Sequence, residues 1–275
     1  MKNIKTHPNR TLFGKVLLFT PILFIFGCKK PNIDIVNVEE QKAPPDEIET
    51  IIEPERDKFL IHKGQYAARI NGTIWMRLNL GADLSSSNPD AIPMSLERHG
   101  DYYQWGRKIS SANSSSDFTV TFFGDDAPPN DAWNAGNETH PIKTDNDPCP
   151  QGYRIPTRME LEDLIKSTET INIGKLSHDF RNYAVAKIFT SRNNNKVKLT
   201  FPFQGYLTVR YGPDNNYLPS GIWNRGIEGY FYSSRSTNAT FISVLKITEN
   251  NVCISNMTFE RKVKFKSANI RCVAE

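Results

Sequence analysis

The side chains able to do chemistry fall into two groups. The first is the set that catalysis or metal binding would draw on. Five histidines stand at positions 7, 62, 99, 140 and 178, without the HxxxH or HxH spacing that brings two imidazoles to one metal ion. The text holds no GxSxG elbow, no Walker loop and no CxxC pair. No catalytic residue, metal ligand or cofactor is therefore expected, although a triad assembled from distant positions leaves no trace of this kind. The second group is aromatic. Trp133, Tyr211, Tyr217 and Trp223, with Asn224 beside the last, sit in the Asn-, Asp- and Gly-rich stretches NDAWNAGN and VRYGPDNNYLPSGIWNRG. Aromatic faces next to amides and carboxylates suit sugar rings, whose CH faces stack while their hydroxyls find donors and acceptors. Each residue also has a plainer reading: a tryptophan in a loop plugs the core, and Asn and Gly make turns.

The anchor comes from the N-terminus. Residues 1–27 carry Lys2, Lys5, Arg10 and Lys15, no acid, and the apolar run from Val16 to Gly27. Twelve residues reach about 18 Å as a helix, short of a bilayer core of about 30 Å, so the run reads as a signal peptide. Ile25, Phe26, Gly27 and Cys28 then have the form of a bacterial lipobox, with Cys28 as the expected lipid-attachment site. Residues 28–61 follow as a tether with prolines at 31, 44, 45 and 54; nine acids against five bases up to Lys58 oppose a packed core. The formal net charge of +4 thus divides into +4 on the signal, −4 on the tether and +4 on the rest. A mature chain without net charge does not have the footprint of a nucleic-acid binder.

The elements that must position the aromatics lie in residues 62–275, read as one domain. QYAARINGTIWM has Asn71-Gly72 between two short apolar runs, a hairpin signal. Residues 108–147 form a long polar stretch holding Trp133 and the apolar run FTVTFFG, of the kind that serves as a functional loop. Thr157 and Glu160 fit a capping box, and Leu161, Leu164 and Ile165 give one apolar face to a helix of about ten residues. A second, weaker stretch, helical or irregular, is expected at 178–186. AKIFTSR and KVKLTFPF flank Asn193, Asn194 and Asn195, which suit left-handed turn positions of a hairpin. GYFYSS, ATFISVLKI, NVCISNMTF and KVKFKS read as half-buried antiparallel strands. One or two helices beside antiparallel strands with long loops is an α+β fold.

The string DPCPQGYRIPTRMELEDL (147–164) resembles the signature of the Fibrobacter succinogenes major paralogous domain family, common in exported lipoproteins of Bacteroidetes-type bacteria. WMRLNLGA (75–82), GDYYQWGRK (100–108), GYFYSS (229–234) and IRCV (270–273) match further blocks in the same order. The YRIPT-plus-helix block is also similar to a segment of formylglycine-generating-enzyme-like domains. Both resemblances imply a C-type-lectin-like fold. That fold implies a bond between Cys149 and Cys272, leaving Cys253 over; Cys253 with Cys272 is the competing pair. Trp223-Asn224 is similar to part of a lectin calcium motif, but no Asp follows and no EPN appears, so no calcium site is implied.

The expectation is a lipid-anchored protein of the bacterial cell envelope, on the outer membrane, with a non-catalytic binding domain in a protein-contact or adhesion role. Its partners are the membrane through the lipid and an envelope protein or a glycan. Glycan binding is the alternative function; an enzyme like the formylglycine-generating ones, needing Cys253 and Cys272 as a reactive pair, is the remote one.

Overall fold

The computed structural model of the chain describes residues 56–83, 89–90, 92, 94–114, 128–179, 181–211, 217–236, 241–258 and 266–275, without the side chains of 209–211, 217–220 and 258. The signal, Cys28 and most of the tether lie outside the described residues, as does the run 118–124. The described chain belongs to one compact unit, Ile52–Glu275.

β1 (Lys58–His62), β2 (Gln65–Ile70) and β3 (Thr73–Met76) open it. β4 (Tyr102–Gln104), β5 (Ser110–Ala112) and β6 (Tyr153–Arg154) lead to the helix α1 (Arg158–Ser167). Then follow β7 (Thr168–Ile173), β8 (Ala186–Ser191), β9 (Lys198–Pro202), β10 (Tyr206–Tyr211), β11 (Tyr217–Trp223), β12 (Gly229–Ser236) and β13 (Phe241–Ile247). β14 (Val252–Thr258), β15 (Ser267–Ala268) and β16 (Val273–Ala274) complete the set. The strands form four antiparallel sheets, in the orders β1-β2-β3-β16-β6, β11-β10-β15-β4-β5, β12-β13-β14 and β7-β8-β9.

This overturns the α+β, C-type-lectin-like expectation. The fold is mostly β, with 43% of the described residues in strands and 7% helical. Of the two readings of 178–186, helical or irregular, the described residues up to Val185 are irregular. Asp179 instead closes a local turn, accepting from the Arg181 N–H at 2.9 Å, and Asn182 donates to the Lys175 carbonyl at 2.9 Å; such side-chain bonds compete with helix. Nor does α1 run on. Thr168 bends its hydroxyl back to the Leu164 carbonyl at 2.7 Å, and the β-branched text TETINI continues at once as β7. The folded region also starts before residue 62, because β1 pairs with β2 from Lys58 onward. Asp57 is buried just ahead of it, accepting from the Asn71 N–H and the Ser191 hydroxyl.

Local signals hold elsewhere. Asn71 and Gly72 take φ of 49° and 82°, the left-handed pair of a tight hairpin between β2 and β3. Both bonds of the Thr157–Glu160 capping box are present, and Glu160 also pairs with Arg154 at 2.6 Å. Asn193–Asn195 do join β8 to β9, but none of the three is left-handed. The Ser191 hydroxyl accepts from the N–H groups of Asn193 and Asn194, and Asn194 accepts from that of Lys196, so side chains shape the turn.

Two apolar clusters lie on opposite faces of the β12-β13-β14 sheet. Phe231, Leu245 and Ile247 pack with α1, Phe189 and Phe201; Tyr232, Ile242, Val244 and Met257 pack with Trp105, Trp133 and Tyr153. Strand alternation requires this split, since successive residues face opposite ways. β3 repeats it, with Trp75 in the first cluster and Met76 in the second, and so do Val273 and Cys272. Cys149 and Cys272 form a disulfide across 123 residues. The competing pair is thereby excluded, and Cys253 is a free, half-buried thiol on β14.

Candidate functional site

A backbone clasp brings two strands from different sheets together. Gly205 and Gly229 form a parallel bridge, with the Gly205 N–H donating to the Glu228 carbonyl at 2.8 Å. Gly205 has φ 69°, and a Cβ there would lie 1.9 Å from the Trp223 carbonyl oxygen, so no other residue fits. The next residue on each strand is a tyrosine. Tyr206 and Tyr230 meet edge to face, their ring centroids 5.3 Å apart. Register extends the aromatic surface, because Trp223 is the cross-strand partner of Tyr206 and paired residues share a face. Trp223 is 40% exposed.

The tyrosines wall a cavity of about 200 Å³. Val244 and Met257, both buried, give it an apolar floor; Ser255 supplies a hydroxyl, and Lys246 and Lys266 the charge. Pairing of Tyr230 with Lys246 and of Val244 with Ser255 explains why these residues, far apart in sequence, share one face. The lysines lean on the rings. Lys246 Nζ stands 5.5 Å from the Tyr230 centroid and Lys266 Nζ 5.2 Å from that of Tyr206, cation–π range for both.

Glu228 fixes one side. Its carboxylate accepts from Asn224 Nδ2 at 2.6 Å, from the Tyr230 hydroxyl and from Lys246 Nζ at 2.8 Å. Burial pushes the Glu228 carboxyl up, but the bonds from Lys246, Tyr230 and Asn224 outweigh it and hold the group below the usual carboxylate range. Burial, and then Glu228, push the Tyr206 phenol up, so it stays protonated. The site holds an ionised carboxylate, two ammonium groups and neutral phenols. Such a set orients and binds.

The aromatics expected from the sequence fare differently. Trp133 is fully buried, its ring 5.4 Å from that of Trp105 and 5.6 Å from that of Tyr232, and its indole N–H reaches the Arg107 carbonyl at 3.3 Å. It is therefore a core residue and not a ligand contact. The polar text around it is self-bonding: Asn134 accepts from Gly136 and Ile142 N–H groups and donates to Ser234 at 3.1 Å, which frees the ring to turn inward. Tyr211 and Tyr217 are cross-strand partners at the far end of the β10–β11 hairpin, but their side chains lie outside the described residues. Trp223 stands beside Tyr206 by register and Asn224, at φ 60°, bonds Glu228, so both border the cavity without being among the residues that line it. Tyr206, Glu228, Tyr230, Lys246, Ser255, Asn256 and Lys266 escape a sequence reading. The available signal was the Gly-Tyr dipeptide that recurs at 205–206 and 229–230 and the lysine of the next strand, Lys246.

Elsewhere His99 and Asp147 are among the strongly shifted groups, and neither lines this cavity. Burial drives the fully buried His99 down to about 4, although its Nε2–H donates to the Tyr183 carbonyl at 2.9 Å. Burial raises Asp147 to about 6 against the N–H groups of Ile155 and Cys149 that it accepts. Comparison with family models, with curated proteins and with solved structures gives no match for the chain.

Proposed function

We propose that the protein is a lipid-anchored component of the bacterial cell envelope, held through Cys28, whose domain binds a saccharide in the groove of Tyr206, Tyr230 and Trp223. The observation that carries the reading is the aromatic wall over an apolar floor, edged by a hydroxyl and ammonium groups. Apolar faces take the CH side of a pyranose and the polar edge takes its hydroxyls. The lipobox-like Ile25–Cys28 and the blocks resembling the Fibrobacter succinogenes major paralogous domain family support the envelope part. Full-length protein in detergent, applied to a glycan microarray, gives selective hits, and Trp223→Ala weakens them at least about tenfold. A blank array overturns the saccharide reading. Cys28→Ser that still takes up radiolabelled palmitate overturns the anchor.

A protein-contact role is the second reading, and β1 favours it. This is an edge strand whose Phe59 and Ile61 are exposed, a surface open to strand addition. An Ile61→Lys change that leaves envelope cross-links intact would remove its support.

A further inference from the structure

We infer that the groove selects an acidic saccharide, with the sugar carboxylate seated on Lys266. This rests on the saccharide reading of the same site and narrows it to a class of ligand. The charge balance carries the argument. Of the two ammonium groups, Lys246 is neutralised by Glu228 at 2.8 Å. Lys266 has no carboxylate partner among the described residues; its ammonium stands over the Tyr206 ring at 5.2 Å. The surplus positive charge of the cavity therefore sits at Lys266.

Its position is built. The Lys266 carbonyl accepts from the buried Tyr232 hydroxyl at 2.9 Å, and the next residue, Ser267, pairs with Leu207 on one side and Gln104 on the other. The backbone is thus pinned beside Tyr206, so the ammonium reaches the cavity from a fixed point. A ligand laid on Tyr206 and Tyr230 strips water from this half-buried ammonium. A neutral ligand leaves the lost hydration uncompensated, whereas a carboxylate replaces it with a charge-assisted hydrogen bond.

The rest of the cavity says what carries the carboxylate. Space of about 200 Å³ admits a single sugar ring; Val244 and Met257 below are apolar, and Ser255 at the edge suits a ring hydroxyl. A hexuronate residue within a polysaccharide presents all three features: an apolar CH face, hydroxyls and one carboxylate.

The test is titration calorimetry of the full-length protein in detergent with hexuronate oligomers (galacturonate, glucuronate and mannuronate), each as free acid and as methyl ester, which keeps the shape and removes the charge. At least one free acid binds about tenfold or more tightly than its ester. Lys266→Gln abolishes that preference and Lys266→Arg retains it, with thermal unfolding unchanged in both. Equal affinity for acid and ester overturns the acidic preference while the saccharide reading stands. Binding of oligo-glutamate as tight as that of any uronate also overturns it, since charge alone then suffices. Esters and neutral sugars that fail along with every acid overturn both.

Discussion

Arg271 donates from Nε at 2.9 Å and from Nη2 at 2.6 Å to the same side-chain oxygen of Asn79. The guanidinium is 1% exposed and gives its other bonds to the carbonyls of Met76, Arg77 and Thr200, over the face of Phe201 at 4.3 Å. None of these acceptors is a carboxylate, so burial lowers the Arg271 pKa to about 9. The amide of Asn79 does the work a counter-ion would do elsewhere. Removing a partner of a buried charge costs about 3–5 kcal/mol. Asn79→Ala is expected to fall in that range in urea unfolding. A loss under about 1 kcal/mol would show that water or another acceptor takes over.

His99 and Asp147 make opposite contributions to acid stability. His99 titrates at about 4 folded against 6.5 unfolded, so between these values the unfolded chain binds the extra proton, and stability falls as pH drops from 6.5 to 4. Asp147 titrates at about 6 against 3.8, so the folded chain binds the extra proton, and stability rises as pH drops from 6 to 3.8. Each effect is on the order of 3 kcal/mol. They nearly cancel in the natural chain and separate in variants: relative to it, Asp147→Asn loses stability steeply from pH 6 to 4, while His99→Gln gains. Urea midpoints at half-unit pH steps check this, and parallel profiles for all three proteins would contradict it.

Trp133→Ala is expected to act on stability. It removes the central one of the two indoles in the Trp105–Trp133–Tyr232 group, at about 3–5 kcal/mol. Saccharide affinity of the folded fraction stays within about twofold, because the ring lines no part of the groove. Calorimetric titration below the lowered melting temperature measures both quantities, and a selective loss of affinity would place Trp133 in the ligand path after all.

What was legible in the sequence is what local chemistry decides. Thr157 and Glu160 announce the helix and Asn71-Gly72 the hairpin; the Cys149–Cys272 bond, which the structure contains, was implied only by the lectin-like resemblance and not by local chemistry. Sheet content was less legible. The single strong helix signature at 157–165 and the lectin-like resemblance weighed toward α+β, yet Thr168–Ile173 follows that helix directly as a strand. The groove was hidden for another reason. Tyr206, Tyr230, Lys246 and Lys266 each read as ordinary strand residues, and the Gly205–Gly229 bridge joins them through a backbone approach that leaves no spacing in the text. Trp133 shows the converse: polar neighbours suggested a surface ring, but its Asn and Gly neighbours bond among themselves and let it turn inward.

Residues 270–273 decide when this molecule can fold. Ile270 and Cys272 belong to one apolar cluster and Val273 to the other, Arg271 locks Asn79, and β16 inserts between β3 and β6. A chain emerging from the ribosome can complete neither cluster until these four residues are free. Closure of both clusters therefore waits on this segment, and a chain truncated before residue 270 should stay protease-sensitive around both.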